Sequence, residues 1–202
     1  IVEATLDTYR AAMANLLPTP AKSHYTFNLR DFSRVIQGVL LCKPMEGFNK
    51  NSLVRLWCHE AMRIFGDRLI DDNDKEWFHG HLEDVTTSKF GTNFYDIFKR
   101  FDKSEEKKIT FGDMRGLMFG DYMMESEPKF YDEVMDPQQL QDKMEEYLSD
   151  YNGQSKKPMD LVMFSFAIEH VSRVCRILRM PGGNALLVGV GGSGRQSVTR
   201  LA

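Results

Sequence analysis

Four glycines crowded between a short apolar run and the opening of a helix constrain this chain more than any other stretch: Asn184-Ala185-Leu186-Leu187-Val188-Gly189-Val190-Gly191-Gly192-Ser193-Gly194-Arg195-Gln196-Ser197. Residues 184–188 read as a strand, the glycines as a loop, and Ser197-Val198-Thr199-Arg200-Leu201-Ala202 as the first turns of a helix. Glycines allow successive backbone N–H groups to turn inward on one anion, and a helix start adds partial positive charge. The expected guest is the phosphate tail of a nucleotide.

Against the phosphate-loop pattern G-x-x-x-x-G-K-[ST], Gly189 takes the first place, Val190, Gly191, Gly192 and Ser193 the next four, and Gly194 the second glycine. Arg195 stands where lysine should reach the β- and γ-phosphates. Gln196 stands where a hydroxyl should hold Mg²⁺, and Ser197 lies one place further on. Arginine keeps the charge, but a planar fork does not copy a compact ammonium, and Gln is a weaker metal ligand than a hydroxyl. The expectation is ATP or ADP binding with weakened Mg²⁺ and impaired or absent turnover. A glycine-rich turn that binds nothing is the competing reading.

With 202 residues, 42% of them hydrophobic, the chain can bury one large core or two small ones. Its 26 Lys+Arg and 29 Asp+Glu nearly balance, so no global field draws it to nucleic acid or to an acidic membrane. No apolar run approaches the ~20 residues that span a bilayer. Cys42, Cys58 and Cys175 are an odd number without C-x-x-C spacing, which fits a reducing, intracellular setting. The chain opens inside a helical pattern without Met and stops just after its glycine loop, and so reads as a piece of a longer polypeptide.

Leu6, Tyr9, Met13 and Leu16 predict a first amphipathic helix ended by Pro18 and Pro20. Asn28 is an N-cap with Asp31 three residues on, opening a second helix with Phe32, Val35, Ile36, Val39 and Leu40 on one face, stopping near Pro44 and Gly47. Arg30 sits in its first turn, where a cation opposes the helix dipole, and this hints at an external anion. A surface arginine, exposed or paired with a carboxylate, is the alternative. A third helix from about Ser52 turns Leu53, Leu56, Trp57, Ile64 and Phe65 inward, and a fourth from Asp72 carries Trp77, Phe78, Leu82 and Val85. Four such helices imply an α-helical bundle. His59, His79 and His81 lack supporting cysteines or carboxylates at metal-ligand spacing, and no metal site is expected of them.

Asp102, Ser104, Glu106 and Ile109 fall at positions one, three, five and eight of an EF-hand loop. Lys107 occupies the glycine position and Asp113 that of the bidentate Glu, so a charged turn is expected rather than a calcium site, with a short strand at Ile109 to Phe111. A further helix runs from Pro137 to Tyr151 and ends in a linker-like Asn152-Gly153-Gln154-Ser155-Lys156-Lys157-Pro158. Asp160 is expected to open another helix, with Leu161, Phe164, Ile168, Val171, Val174 and Leu178 at helical spacing, broken by Pro181-Gly182-Gly183. A helix just ahead of a phosphate-loop strand can lay side chains on a base. Leu161, Val162 and Phe164 are therefore candidate adenine contacts, with core packing as the rival account.

Taken together, Tyr25-Thr26-Phe27-Asn28-Leu29-Arg30-Asp31-Phe32-Ser33-Arg34, Arg55-Leu56-Trp57-Cys58-His59-Glu60, Asp67-Arg68-Leu69, Leu117-Met118-Phe119-Gly120-Asp121-Tyr122, Ile168-Glu169-His170-Val171-Ser172-Arg173 and the glycine loop resemble the motor ring of an axonemal dynein heavy chain. The resemblance runs over nearly the whole length. It implies a mostly α fold: a helical lid of the third AAA+ module with connecting helices and a small strand element over 1–152, a linker at 153–160, and over 161–202 the first helix, strand and phosphate loop of a truncated α/β domain, the fourth module. Arg30 matches the sensor II arginine of AAA+ lids, which points at the γ-phosphate. Arginine in the lysine position of the fourth loop is characteristic of the axonemal branch and implies a regulatory site.

The function so implied is a part of an ATP-driven, minus-end-directed motor of cilia and flagella, placed in the cytoskeleton of the axoneme. Its partners would be the rest of the ring, with microtubules and the dynein intermediate and light chains engaged through other regions, and with neither nucleic acid nor membrane. No catalytic residue is assigned within the chain, and the piece alone is expected to hydrolyse nothing. The rival is a helical scaffold whose glycine loop is structural.

Overall fold

The computed structural model describes residues 1–43, 47–102, 107–124 and 128–202. The chain parts into two compact units, Ile1–Leu117 and Met118–Ala202.

The first unit is built on α1 (Val2–Asn15), α2 (Leu29–Val39), α3 (Lys50–Ile64) and α4 (Asp72–Phe90), with a short α5 (Phe94–Phe98) after them. α3 is its centre. Val54, Leu56, Trp57, Cys58, Ala61, Met62 and Ile64 are all buried, and Trp57 is fully enclosed. α1 presents a face rotated from the expected one: Ala4, Thr5, Thr8, Tyr9, Ala12 and Leu16 are buried, while Met13 is 42% exposed. Small residues one turn apart let α1 approach its neighbours closely. The hydroxyls cost little to bury because Thr5 and Thr8 donate to the carbonyls of Ile1 and Ala4, both at 2.9 Å. Trp57 Nε1 in turn donates to Thr5 Oγ1 at 3.0 Å.

α2 starts where the sequence places it. Asn28 accepts from Arg30 N (2.8 Å) and Asp31 Oδ2 accepts from Asn28 N (2.9 Å), a reciprocal cap that contributes about 1 kcal/mol. Its end falls at Val39, with Leu40 75% exposed rather than inward. Pro44 lies outside the described residues.

Among the described residues, no strand forms at Ile109 to Phe111. Thr110 instead uses both its amide and its hydroxyl on Asp113 Oδ2, at 2.9 and 2.6 Å, ahead of a single 3₁₀ turn at Asp113–Gly116. Asp102 Oδ2 accepts from Lys107 N (3.0 Å) and Tyr95 OH (3.1 Å). Lys107 takes a left-handed φ of 55°, the conformation that favours glycine at that place. Both carboxylates are thus engaged by protein donors. Ser104 and Glu106 lie outside the described residues.

In the second unit, β1 (Phe119–Gly120) and β2 (Asp132–Glu133) pair antiparallel, Phe119 opposite Glu133 and Gly120 opposite Asp132. α6 (Pro137–Gln154) is capped by Asp136, whose Oδ1 accepts from Gln138 N at 2.8 Å, with proline in its first turn. Leu140, Met144 and Leu148 of α6 pack with Tyr122, Val134, Met159, Met163, Ile168 and Val171. The segment expected to be a linker at 153–160 therefore lies inside one unit, and the chain parts earlier, after Leu117. Asn152 stitches the segment down. Its side chain accepts from Met159 N (2.7 Å) and donates to Met159 O (2.9 Å).

α7 spans Ser165–Arg179, so residues 161–164 are not helical as expected. The burial of Met159 and Met163 holds the approach in extended form and delays the helix start. Ile168, Val171 and Val174 are buried, whereas Phe164 and Leu178 are 57% and 53% exposed. α8 (Arg195–Leu201) follows the glycine loop and packs on α7 and α6. No helix among the described residues is long and apolar enough to cross a membrane.

Candidate functional site

Residues 184–190 run without ladder partners among the described residues, so the expected strand does not form. A strand exists through the chain beside it. Leu186, Val188 and Val190 are accordingly 90%, 84% and 81% exposed. In the loop, Gly192 and Gly194 take φ of 79° and 75°, which β-carbon-bearing residues rarely adopt.

Val190 O is the hub of the turn. It accepts from Ser193 N at 3.4 Å and from Arg195 Nη2 at 3.1 Å. The Arg195 guanidinium is folded back over the loop, half-buried, with its Cδ 3.5 Å from where a β-carbon on Gly189 would sit. Gly191, Gly192 and Gly194 have open space on their Cα atoms, and among the described residues no hydrogen bond engages their amides. Free amides around a guanidinium form a donor set that fits a polyphosphate. Gln196 is exposed and Ser197 half-buried in the first turn of α8. The side chain at the hydroxyl position is thus an amide, which fits Mg²⁺ poorly.

Of the candidate base contacts, Val162 is 77% exposed, Phe164 57% exposed and Leu161 half-buried. Phe164 stacks on Phe166 at 6.4 Å, and Phe166 meets His170 edge-on at 4.3 Å, an aromatic ledge of which the sequence indicated only the first member. A separate cavity of about 360 Å³ lies between Asp121, Tyr147, Cys175, Arg179 and Leu201 and holds none of the expected nucleotide residues. Burial pushes the Cys175 thiol there up to about 11, too high for a thiolate at neutral pH.

In the first unit, Arg30 is exposed at the start of α2, and among the described residues no carboxylate pairs with it. Its neighbour Asp31 is buried and held by Arg68, Nη2 to Oδ1 at 2.6 Å and Nη1 to Oδ2 at 3.3 Å. Sequence reasoning names Arg68 only within a motif, because no local spacing rule connects residues that far apart. The three histidines are packed separately: His59 Nδ1 lies 3.0 Å from Glu60 Oε1, His79 is edge-on to Phe94, and His81 stacks on Trp77.

Comparison with known proteins adds the family. Residues 1–103 match the AAA+ lid domain, and residues 159–202 match the P-loop containing dynein motor region D4. The whole chain aligns with dynein axonemal heavy chain 3 of Mus musculus at 51% identity, with dynein axonemal heavy chain 12 of Homo sapiens at 47%, and with dynein axonemal heavy chain 6 of Homo sapiens at 45%. It spans only 5%, 7% and 5% of those relatives' lengths.

Proposed function

Since the chain belongs to the axonemal dynein heavy chain family of AAA+ proteins, we propose that it is the part of an ATP-driven, minus-end-directed ciliary motor that carries the lid of the third ring module and the phosphate loop of the fourth. The observation that carries this reading is the loop at 189–197, with unengaged amides at Gly191, Gly192 and Gly194 around the guanidinium of Arg195. The loop binds the phosphates of ATP or ADP. Arg195 exchanges its bond to Val190 O for a phosphate oxygen, a charge-assisted contact that a neutral carbonyl does not match.

Exposed Val162 and Phe164 and half-buried Leu161, all ahead of α7, lie against the base. Arg30, without a carboxylate partner among the described residues, serves the nucleotide of the preceding module as a sensor of its γ-phosphate. Mg²⁺, when bound, neutralises phosphate charge. Gln196 would offer it only an amide oxygen and Ser197 a displaced hydroxyl, a poor fit that makes the site regulatory rather than hydrolytic. Sheet neighbours for residues 184–190 come from elsewhere in the heavy chain, which covers Leu186, Val188 and Val190. Among the described residues none is placed to activate water, and the 202-residue chain by itself turns over no ATP. Microtubules, intermediate chains and light chains are met by other parts of the motor, in the axoneme.

The test is Arg195→Ala in the full-length heavy chain. Losing a charge-assisted contact weakens labelled-nucleotide binding at this module by about tenfold or more, while Arg195→Lys retains most of it. Unchanged affinity in Arg195→Ala would leave the loop a structural turn.

A further inference from the structure

The first turn of α2 is held by more than its own cap. Asp31 is buried, and one of its oxygens, Oδ2, accepts both from Asn28 N at 2.9 Å and from Arg68 Nη1 at 3.3 Å; the other, Oδ1, takes Arg68 Nη2 at 2.6 Å. Arg68, though partly exposed, is itself held at several points. Its Nη1 also donates to Thr26 O (3.3 Å), its guanidinium lies over the Phe27 ring at 5.2 Å, and its carbonyl accepts from His24 Nε2 (2.9 Å). It closes the 3₁₀ turn Gly66–Arg68 that follows α3, whose second half is largely buried.

We propose that Arg68 is a positioning residue for Arg30: by forking onto Asp31 it locks the first turn of α2 to the end of α3, and so aims the Arg30 side chain at a nucleotide phosphate. This rests on the assignment of Arg30 as a phosphate contact. A helix's first turn is where fraying concentrates, and Arg30 stands in it, one residue before the locked carboxylate. An exposed arginine on a loose turn spreads its charge over many directions. On a locked turn it keeps one, and the entropy of ordering it is not charged to ligand binding. A lysine at 68 retains charge but not the planar fork that meets both carboxylate oxygens.

The test is a double-mutant cycle in the full-length motor, with labelled ATP affinity, KM, kcat and thermal melting recorded for Arg30→Ala, Arg68→Lys and the pair. Asp31→Asn is the second route to the same lock should Arg68→Lys fold poorly. Arg68→Lys weakens nucleotide binding about fivefold with Arg30 present and leaves it unchanged once Arg30 is alanine, the non-additivity expected of residues that act as one. The same loss in both backgrounds would make Arg68 a purely structural residue and overturn the proposal. So would full affinity in Arg68→Lys and Asp31→Asn beside a loss in Arg30→Ala, which would leave the phosphate role of Arg30 standing. No loss in Arg30→Ala would remove that role and the proposal with it.

Discussion

Trp57 and Val188 are both apolar side chains in apolar runs, yet one is fully enclosed and the other 84% exposed. Around Trp57 the first unit is self-sufficient. Its helices α2 to α5 carry their own side-chain caps, the hydroxyls of Thr5 and Thr8 are bonded within the turn, and its core is closed by residues from four helices. Residues 184–190 have the composition of a central strand without strands beside them. A helix satisfies its backbone from its own sequence, whereas a strand depends on others. A lid can therefore be complete within a short stretch of chain, and a phosphate loop only in part.

The contrast is broken or sharpened most strongly at Trp57. Trp57→Ala removes the centre of α3 and takes from Thr5 Oγ1 the indole donor it accepts from, so it costs about 3–5 kcal/mol in the 202-residue chain, read by urea unfolding with Trp77 fluorescence, which belongs to the same unit. Asp31→Ala comes next. It loses the Asp31 half of the reciprocal cap of α2 and strands Arg68, and because Arg68 is partly exposed the expected cost is about 2 kcal/mol, in the same measurement.

Acid should weaken the lid as well. Burial holds the imidazoles of His79 and His81 below their ordinary 6.5, and His79 Nε2 is buried without a hydrogen-bond partner among the described residues. The unfolded chain then takes up these protons more readily than the folded one. Stability present above pH 6.5 falls as pH drops below that value, until the folded-state histidines also protonate. His79→Phe with His81→Gln flattens the fall between pH 7.5 and 5.5 in urea titrations. The smallest effect is expected at Val188→Ser, under ~0.5 kcal/mol in the 202-residue chain, followed by far-UV dichroism. A cost above ~1 kcal/mol there would mean that residues 184–190 are packed after all, and the contrast would fall.

Legibility in the sequence followed the range of the interactions. The cap of α2 at Asn28 and Asp31, the helices around Trp57 and Phe78, and the glycine loop with Arg195 are written within a few residues, and were readable there. α1 buries Tyr9 and Leu16 as the spacing predicts, but close helix approach favours Ala4, Thr8 and Ala12 over Leu6 and Met13. The start of α7 was placed early because Met159 and Met163 are buried from an extended segment that helical spacing cannot distinguish. The fork of Arg68 on Asp31 was out of reach, since it depends on how α2 and α3 pack. At the turn of Asp102 and Lys107 the backbone does what the sequence alone does not indicate: Lys107 adopts the glycine conformation, and Asp102 spends one oxygen on two protein donors.

The most direct measurement is the amount of tightly bound nucleotide per full-length heavy chain, by equilibrium dialysis of labelled ADP against the unsubstituted protein and Gly194→Val. A β-branched residue does not tolerate the φ of 75° at Gly194, so the loop opens while both units keep their cores. Bound nucleotide falls by one equivalent per chain if residues 189–197 cradle a nucleotide's phosphates. An unchanged amount, with Gly194→Val folded, would contradict that assignment.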